Sequence, residues 1–222
     1  MSETTELVLV RHGEAVINLT PSFDGVCLGL TDRGRRQAEL LRERLAADTM
    51  AGRTFDAAYH SPRARSEQTA QILQPALGIP VVVHEDLRSM DAGEPGVNIW
   101  DPDSNALGTI PPLAPDAVPN KGAESWQQYL DRSGQALLDI ADKHPGQRVL
   151  VVAHSETSES AAQTFMRLAA GWPRWTYTQI NHTGVTVWQR RHSGLPGADP
   201  AGQWVLRVLN HDGHLPASDR TW

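Results

Sequence analysis

The sequence predicts a single three-layer α/β domain: a mixed, mostly parallel sheet with helices on both faces. Three observations carry this expectation. Apolar runs that read as strands alternate along the chain with stretches of helical periodicity. Two of those runs, LVLV ahead of Arg11 and VLVVA ahead of His154, are continuously apolar, as strands covered on both faces are. Helix-capping residues stand where helices should begin, at Thr31, Ser61 and Ser125.

Taken in order, ELVLVR (6–11) is the first strand, and a turn-rich loop covers 12–30. Thr31 caps a helix over 32–47 that puts Ala38, Leu41 and Leu45 on one face. DAAYH (56–60) is a short strand. Ser61-Pro62 opens the next helix, with proline at its first position, where a missing N–H costs nothing. That helix ends near Leu73, before Pro75. A third strand covers 79–84. Between Pro95 and Pro119 there are six prolines and little apolar period, so 91–122 reads as a lid inserted into one domain spanning 1–222. Ser125-Trp126-Gln127-Gln128 forms a capping box for a helix reaching His144. RVLVVAH (148–154) is a strand, and a helix runs from Thr157 to about Ala170. Residues 183–189 and 203–209 are two strands joined by a Gly/Pro-rich loop.

Composition excludes some classes. A net charge of −6 argues against nucleic-acid binding by bulk electrostatics, while leaving room for a local anion pocket. Cys27 is the lone cysteine, so no intrachain disulfide forms and a reducing compartment is the simpler reading. The first residues lack a signal-peptide pattern, and no apolar run approaches the ~20 residues of a membrane span. The expectation is a soluble cytoplasmic protein with no membrane partner. A homo-oligomer is left open.

The chemistry lies where the two apolar strands stop. One ends in Arg11-His12 and the other in His154. Ligands of open α/β sheets bind outside the carboxyl ends of strands. Arg65, in the first turn of the helix opened by Ser61-Pro62, falls near the same edge. Two arginines, two histidines and a helix N-terminus suit a phosphate, because the guanidinium fork hydrogen-bonds its oxygens in pairs. A histidine can also serve as nucleophile, dividing phosphoryl transfer into two easier steps.

Several segments now converge: RHGEAVIN, LTDRGRRQA, HSPRARSEQTA, AESW, VLVVAHSE and NHDGHL. Their ordered set, from about residue 6 to 215, resembles the histidine phosphatase superfamily, also called phosphoglycerate-mutase-like. The resemblance implies that fold, and a phosphate monoester hydrolase acting through phosphohistidine on His12. It implies that Arg11, Arg65 and His154 hold the phosphate. Gly13 would admit a close backbone approach, Asn18 would touch the transferred group, and Ser155 joins the substrate-binding residues. It implies no metal and no cofactor, and a small phosphorylated or otherwise anionic substrate.

The sequence departs from the family at one informative place. The family's general-acid glutamate falls in an L-x-E-x-x-x-G segment, which here reads LRSMDAG with Ser89 at the acid position. A serine hydroxyl is a very poor acid near neutral pH. Asp91 or Glu156 could replace it, with Glu85 and Glu94 also in reach by sequence, or the substrate could carry a good leaving group. A phosphate-binding module without turnover, or altered chemistry on another anion, stays open for the same reason. A mutase ranks below these, because Arg88 and Lys121 are the only basic residues between 88 and 122. Trp100, Leu107, Ile110, Leu113 and Val118 suggest a partly apolar substrate under the lid.

Overall fold

The computed structural model describes residues 4–19, 28–91, 93, 115–118, 121–168, 178–193, 195–199 and 201–222. The first apolar run is β1 (Thr4–Arg11), inside the sheet between two neighbours. It is followed by α1 (Asp32–Met50), β2 (Ala57–His60), α2 (Ala64–Leu77) and β3 (Val82–Val83). Then come α3 (Trp126–Lys143), β4 (Arg148–Ala153), α4 (Ser155–Phe165), β5 (Val185–Arg191) and β6 (Gln203–His211). The spatial order is β3-β2-β4-β1-β5-β6. β1 with β4, β4 with β2, and β2 with β3 are parallel, whereas β5 pairs antiparallel with β1 and with β6.

The apolar runs are continuous because alternate side chains serve two cores. Leu7, Leu9, Val149 and Val151 pack against Leu137, Ile140, Ala161 and Phe165 of α3 and α4. Val8, Val10, Leu150 and Val152 pack against Leu41, Leu45, Leu73 and Leu77 of α1 and α2. The result is the three-layer arrangement expected. Register matters for the site: Arg11 lies opposite Ala153, and the His12 amide donates to the Ala153 carbonyl at 2.9 Å. His12 and His154 therefore leave the sheet side by side.

Several boundaries move. α1 continues to Met50. α2 does not open on Ser61-Pro62; its N-cap is Arg63, because the Ser61 hydroxyl is taken by His154 at 2.8 Å. α2 also runs through Pro75 to Leu77. The proline costs a hydrogen bond to Gln71, but buried Leu73 and Leu77 hold the last turn in place and left-handed Gly78 closes it. The expected strand over 79–84 shrinks to Val82–Val83, half-exposed at the sheet edge, where a short strand limits stray pairing. α4 begins at Ser155, two residues earlier than expected, and stops at Phe165.

Most of the 91–122 insertion, with Trp100, Leu107, Ile110 and Leu113, lies outside the described residues, as does Cys27. Val118 is described and exposed. The neck of the insertion is pinned: the Glu124 amide donates to the Asp91 carbonyl (3.0 Å), and the Asp91 amide donates to the Glu124 carboxylate (2.9 Å). Arg132 from α3 grips both Glu124 oxygens at 2.7 and 2.6 Å.

Helix α1 reaches the loop after β1 by a close glycine contact. A Cβ on Gly34 would stand 1.9 Å from the Glu14 carbonyl oxygen, and one on Gly13 would stand 2.4 Å from the Gly34 carbonyl oxygen. Both clashes involve backbone, so no side chain can swing aside. Gly34→Ala is expected to cost at least about 1–3 kcal/mol of stability. A lowered urea midpoint at unchanged slope would show it; an unchanged midpoint would mean the helix shifts freely.

Candidate active site

His12 follows the last residue of β1, and its ring is buried, with 3% of the residue exposed. Its Nδ1–H donates to the Gly13 carbonyl at 2.7 Å, and its Nε2 accepts from Arg65 Nε at 3.1 Å. Both contacts select one neutral tautomer, with the Nε2 lone pair facing the guanidinium. His154, at the end of β4, is the N-cap of α4. Its Nδ1 accepts from Arg65 Nη2 at 3.3 Å, so its Nε2–H donates to the Ser61 hydroxyl. The His12 and His154 rings stand 5.4 Å apart, edge to face. Arg65 thus bridges the free nitrogens of two imidazoles.

Arg65 is buried in the first turn of α2 and is held from behind by its own helix, where Thr69 Oγ1 donates to the Arg65 carbonyl (2.7 Å). The same hydroxyl accepts the Gly13 amide at 3.1 Å, tying α2 to the loop after β1. Arg11 is buried as well, and its Nη1 donates to the Ile180 carbonyl at 2.5 Å.

These cations act on the imidazoles. Burial holds His12 well below its ordinary 6.5, and the charges of Arg65 and then Arg11 push it the same way; the Gly13 hydrogen bond works against them. Burial also holds His154 well below 6.5, followed by Arg65 and His12. Both imidazoles are neutral near pH 7, as a nucleophile and a lone-pair partner of Arg65 must be.

The remaining expected residues take varied places. At Gly13 a side chain would meet the Gly34 carbonyl, as described above. Asn18 ends a 3₁₀ turn (Val16–Asn18), and its Oδ1 accepts the Ala15 amide at 2.9 Å. Ser155 lies in the first turn of α4 and donates to Glu156 Oε2 at 3.0 Å. Glu156 is buried near Tyr129, whose hydroxyl is pushed up by burial first and by the Glu156 charge second. Asp91 stands at the start of the 91–122 stretch, with Oδ1 on Arg63 (2.8 Å) and Oδ2 on Arg88 (3.4 Å). Ser89 is buried. Glu85 begins a short 3₁₀ turn after β3. Glu94 lies outside the described residues.

Sequence reasoning alone does not reach His182, which is buried with its ring 5.8 Å from that of His12. The available signal was direction: β5 runs antiparallel to β1, with Val185 opposite Val10. The residues just before β5 therefore arrive at the edge where the parallel strands end. Ser61 reads as a helix cap by sequence, and its contact with His154 depends on a strand pairing no local pattern reveals. The histidines of HDGH are engaged elsewhere: His211 Nδ1 meets Arg44 at 2.8 Å, and His214 Nε2 meets the Thr183 hydroxyl at 2.9 Å. Among the described residues, no helix is long and apolar enough to cross a membrane.

Comparison with known proteins agrees with this geometry. The chain is 33% identical over 159 residues to a metal-independent phosphoserine phosphatase of Arabidopsis thaliana, covering 69% of this chain and 65% of that protein. The match thus spans just under two thirds of that relative's length. It is 31% identical over 206 residues to a 2,3-bisphosphoglycerate-dependent phosphoglycerate mutase of Brucella anthropi, covering 84% of this chain and 91% of the mutase. A mycobacterial glucosyl-3-phosphoglycerate phosphatase shares the fold at TM-score 0.71 and 23% identity, covering 93% of this chain and 99% of that one. The family model described as histidine phosphatase superfamily (branch 1) matches residues 7–196. Paired strand ends, two histidines and the arginine between them thus sit inside a match covering most of the sequence, and the chain belongs to the histidine phosphatase superfamily.

Proposed function

We propose that the protein is a metal-independent phosphatase that hydrolyses a small phosphate monoester through a phosphohistidine on His12. The observation that carries this is the single tautomer of His12. With Nδ1–H held by the Gly13 carbonyl, Nε2 keeps its lone pair toward Arg65. A phosphoryl group entering there would draw the Arg65 donors onto its oxygens. In the first step the Nε2–P bond forms and the bond from phosphorus to the ester oxygen breaks. The leaving oxygen takes up one proton. In the second step water attacks phosphorus and gives up a proton that replaces the one taken by the leaving oxygen; the Nε2–P bond breaks, and inorganic phosphate departs with His12 neutral again. Arg11, Arg65 and His154 offset charge on the transferring oxygens. The names of the Arabidopsis relative and of the mycobacterial structural neighbour support a phosphatase. So does Arg88, which is committed to Asp86, Asp91 and Glu124 rather than free for a second anionic group.

The proton for the leaving oxygen is the weak point, because serine stands where the acid would be. Asp91 would have to leave a guanidinium partner to supply it. Glu156 is nearer His154 in sequence, and among the described residues its Oε2 accepts from the neighbouring Ser155 hydroxyl. A good leaving group needs little protonation, and general acid help is typically worth ~10²–10⁴-fold. Release from an aryl phosphate is therefore expected to exceed release from an alkyl phosphate by about 10²–10⁴-fold. A panel of both ester types, assayed for phosphate release, tests this. Equal rates would assign the acid to a carboxylate, with Glu156→Gln and Asp91→Asn then slowing only the alkyl ester. No release from any ester, with phosphate still bound, would favour the reading as a binding module, which Ser89 motivates.

A further inference from the structure

The mechanism above leaves a third buried imidazole unused. His182 is 1% exposed, and its ring lies beside that of His12. Its Nε2 is 3.2 Å from Asn18 Oδ1 and its Nδ1 is 2.8 Å from Thr221 Oγ1. The direction of each bond can be worked out. Asn18 Oδ1 already accepts the Ala15 amide, so it is an oxygen, and His182 Nε2 must donate to it. His182 Nδ1 then accepts, and the Thr221 hydroxyl must donate.

The far end of the chain agrees. Gln37 Oε1 accepts the Glu14 amide at 2.8 Å, which leaves the Gln37 amino group to donate to Thr221 Oγ1 (2.8 Å) and to the Asp219 carbonyl (2.7 Å). Thr221 thus receives from Gln37 and gives to His182. The line begins at the amide of Glu14 and returns to Asn18, beside the amide of Ala15, so both ends rest on the loop that follows the nucleophile. Every polarity is set by a backbone N–H at one end or the other. Burial first, and then the charges of Arg11 and His12, hold His182 well below 6.5, consistent with a neutral ring.

We infer that His182 is a positioning residue of the phosphate pocket, which, with Thr221 and Gln37 behind it, holds the Asn18 carbonyl oxygen so that its amino group is offered to the transferred phosphoryl group. Backbone contacts fix its place on both sides. The His182 amide donates to the Thr221 carbonyl at 2.9 Å. The next residue, Thr183, takes a left-handed conformation (φ 57°) that directs its amide onto the Arg11 and His12 carbonyls at 3.1 and 3.4 Å. The C-terminal segment is thereby part of the site. This inference rests on the pocket proposed above.

The test is a double-mutant cycle on orthovanadate binding, measured by calorimetry, which reads the pocket without turnover. Asn18→Ala is expected to weaken vanadate about tenfold. His182→Ala is expected to do the same, and the double variant should be no weaker than Asn18→Ala alone. His182→Gln, which can keep a donor toward Asn18, should restore most of the affinity. Thr221→Val leaves His182 in place and covers the case where His182→Ala does not fold; its effect should vanish in the Asn18→Ala background. Additive losses, or wild-type affinity in both His182→Ala and Thr221→Val, would overturn the inference while leaving the pocket standing. Absence of vanadate binding to the wild type would overturn the pocket itself, and this inference with it.

Discussion

Replacing His12 with alanine is expected to lower phosphate release from an aryl monoester by about 10⁴-fold or more, the scale seen when a nucleophile that works as part of a unit is removed. The same change should abolish a covalent phosphoenzyme. His12 is favoured over His154 by what each ring's N–H donates to. As the Nε2–P bond forms, the imidazole gains positive charge, and the Gly13 carbonyl at 2.7 Å accepts the Nδ1–H that carries part of it. The corresponding partner of His154 is the Ser61 hydroxyl, a weaker acceptor that also receives the Arg63 amide at 3.3 Å. Trapping with labelled substrate decides the matter, since phosphohistidine survives alkali and is lost in acid. Label should remain on His154→Ala and be absent from His12→Ala. Label on His12→Ala would move the nucleophile to another residue.

Arg65→Gln should produce two separable effects. Arg65 donates to both imidazoles, at 3.1 and 3.3 Å, so its removal is expected to cost about 10²–10³-fold in kcat. Its charge is also the second cause, after burial, of the lowered pKa of His12 and of His154. The sign follows directly. In the wild type His12 stays neutral to well below pH 6.5, so kcat/KM should hold as pH falls and drop only on the acid side of that value. Without Arg65 the imidazole is easier to protonate, and the acid limb should move upward, toward 6.5. Arg65→Lys would keep the charge and lose the fork. It should therefore retain most of the kcat defect while leaving the acid limb low. An acid limb that stays in place in Arg65→Gln would mean that a group other than these imidazoles governs it.

The sequence was most informative where physics is local. The apolar runs 7–10 and 149–153 read as strands with cover on both faces, and their sudden polar ends marked the site edge. Thr31 and Ser125 form the caps their spacing announced, at 3.0 Å to the Gly34 amide and 3.2 Å to the Gln128 amide. Patterns misled where a residue had a stronger partner far along the chain. Ser61-Pro62 reads as a helix start, yet the Ser61 hydroxyl is claimed by a histidine 93 residues away. Pro75 reads as a stop, yet the burial of Leu73 and Leu77 carries the helix past it.

The sequence alone determined the α/β class, the family resemblance and a short set of chemistry-bearing residues, because apolar period and residue type at strand ends are properties of a few neighbouring positions. Tertiary structure decided everything that depends on two distant segments meeting. It set the tautomers of His12 and His154 through Gly13, Ser61 and Arg65. It turned Gly13 and Gly34 into a close crossing of backbones. It brought His182 and Thr221 to the back of the pocket, because β5 runs against β1 and delivers its first residues to the edge where the parallel strands end.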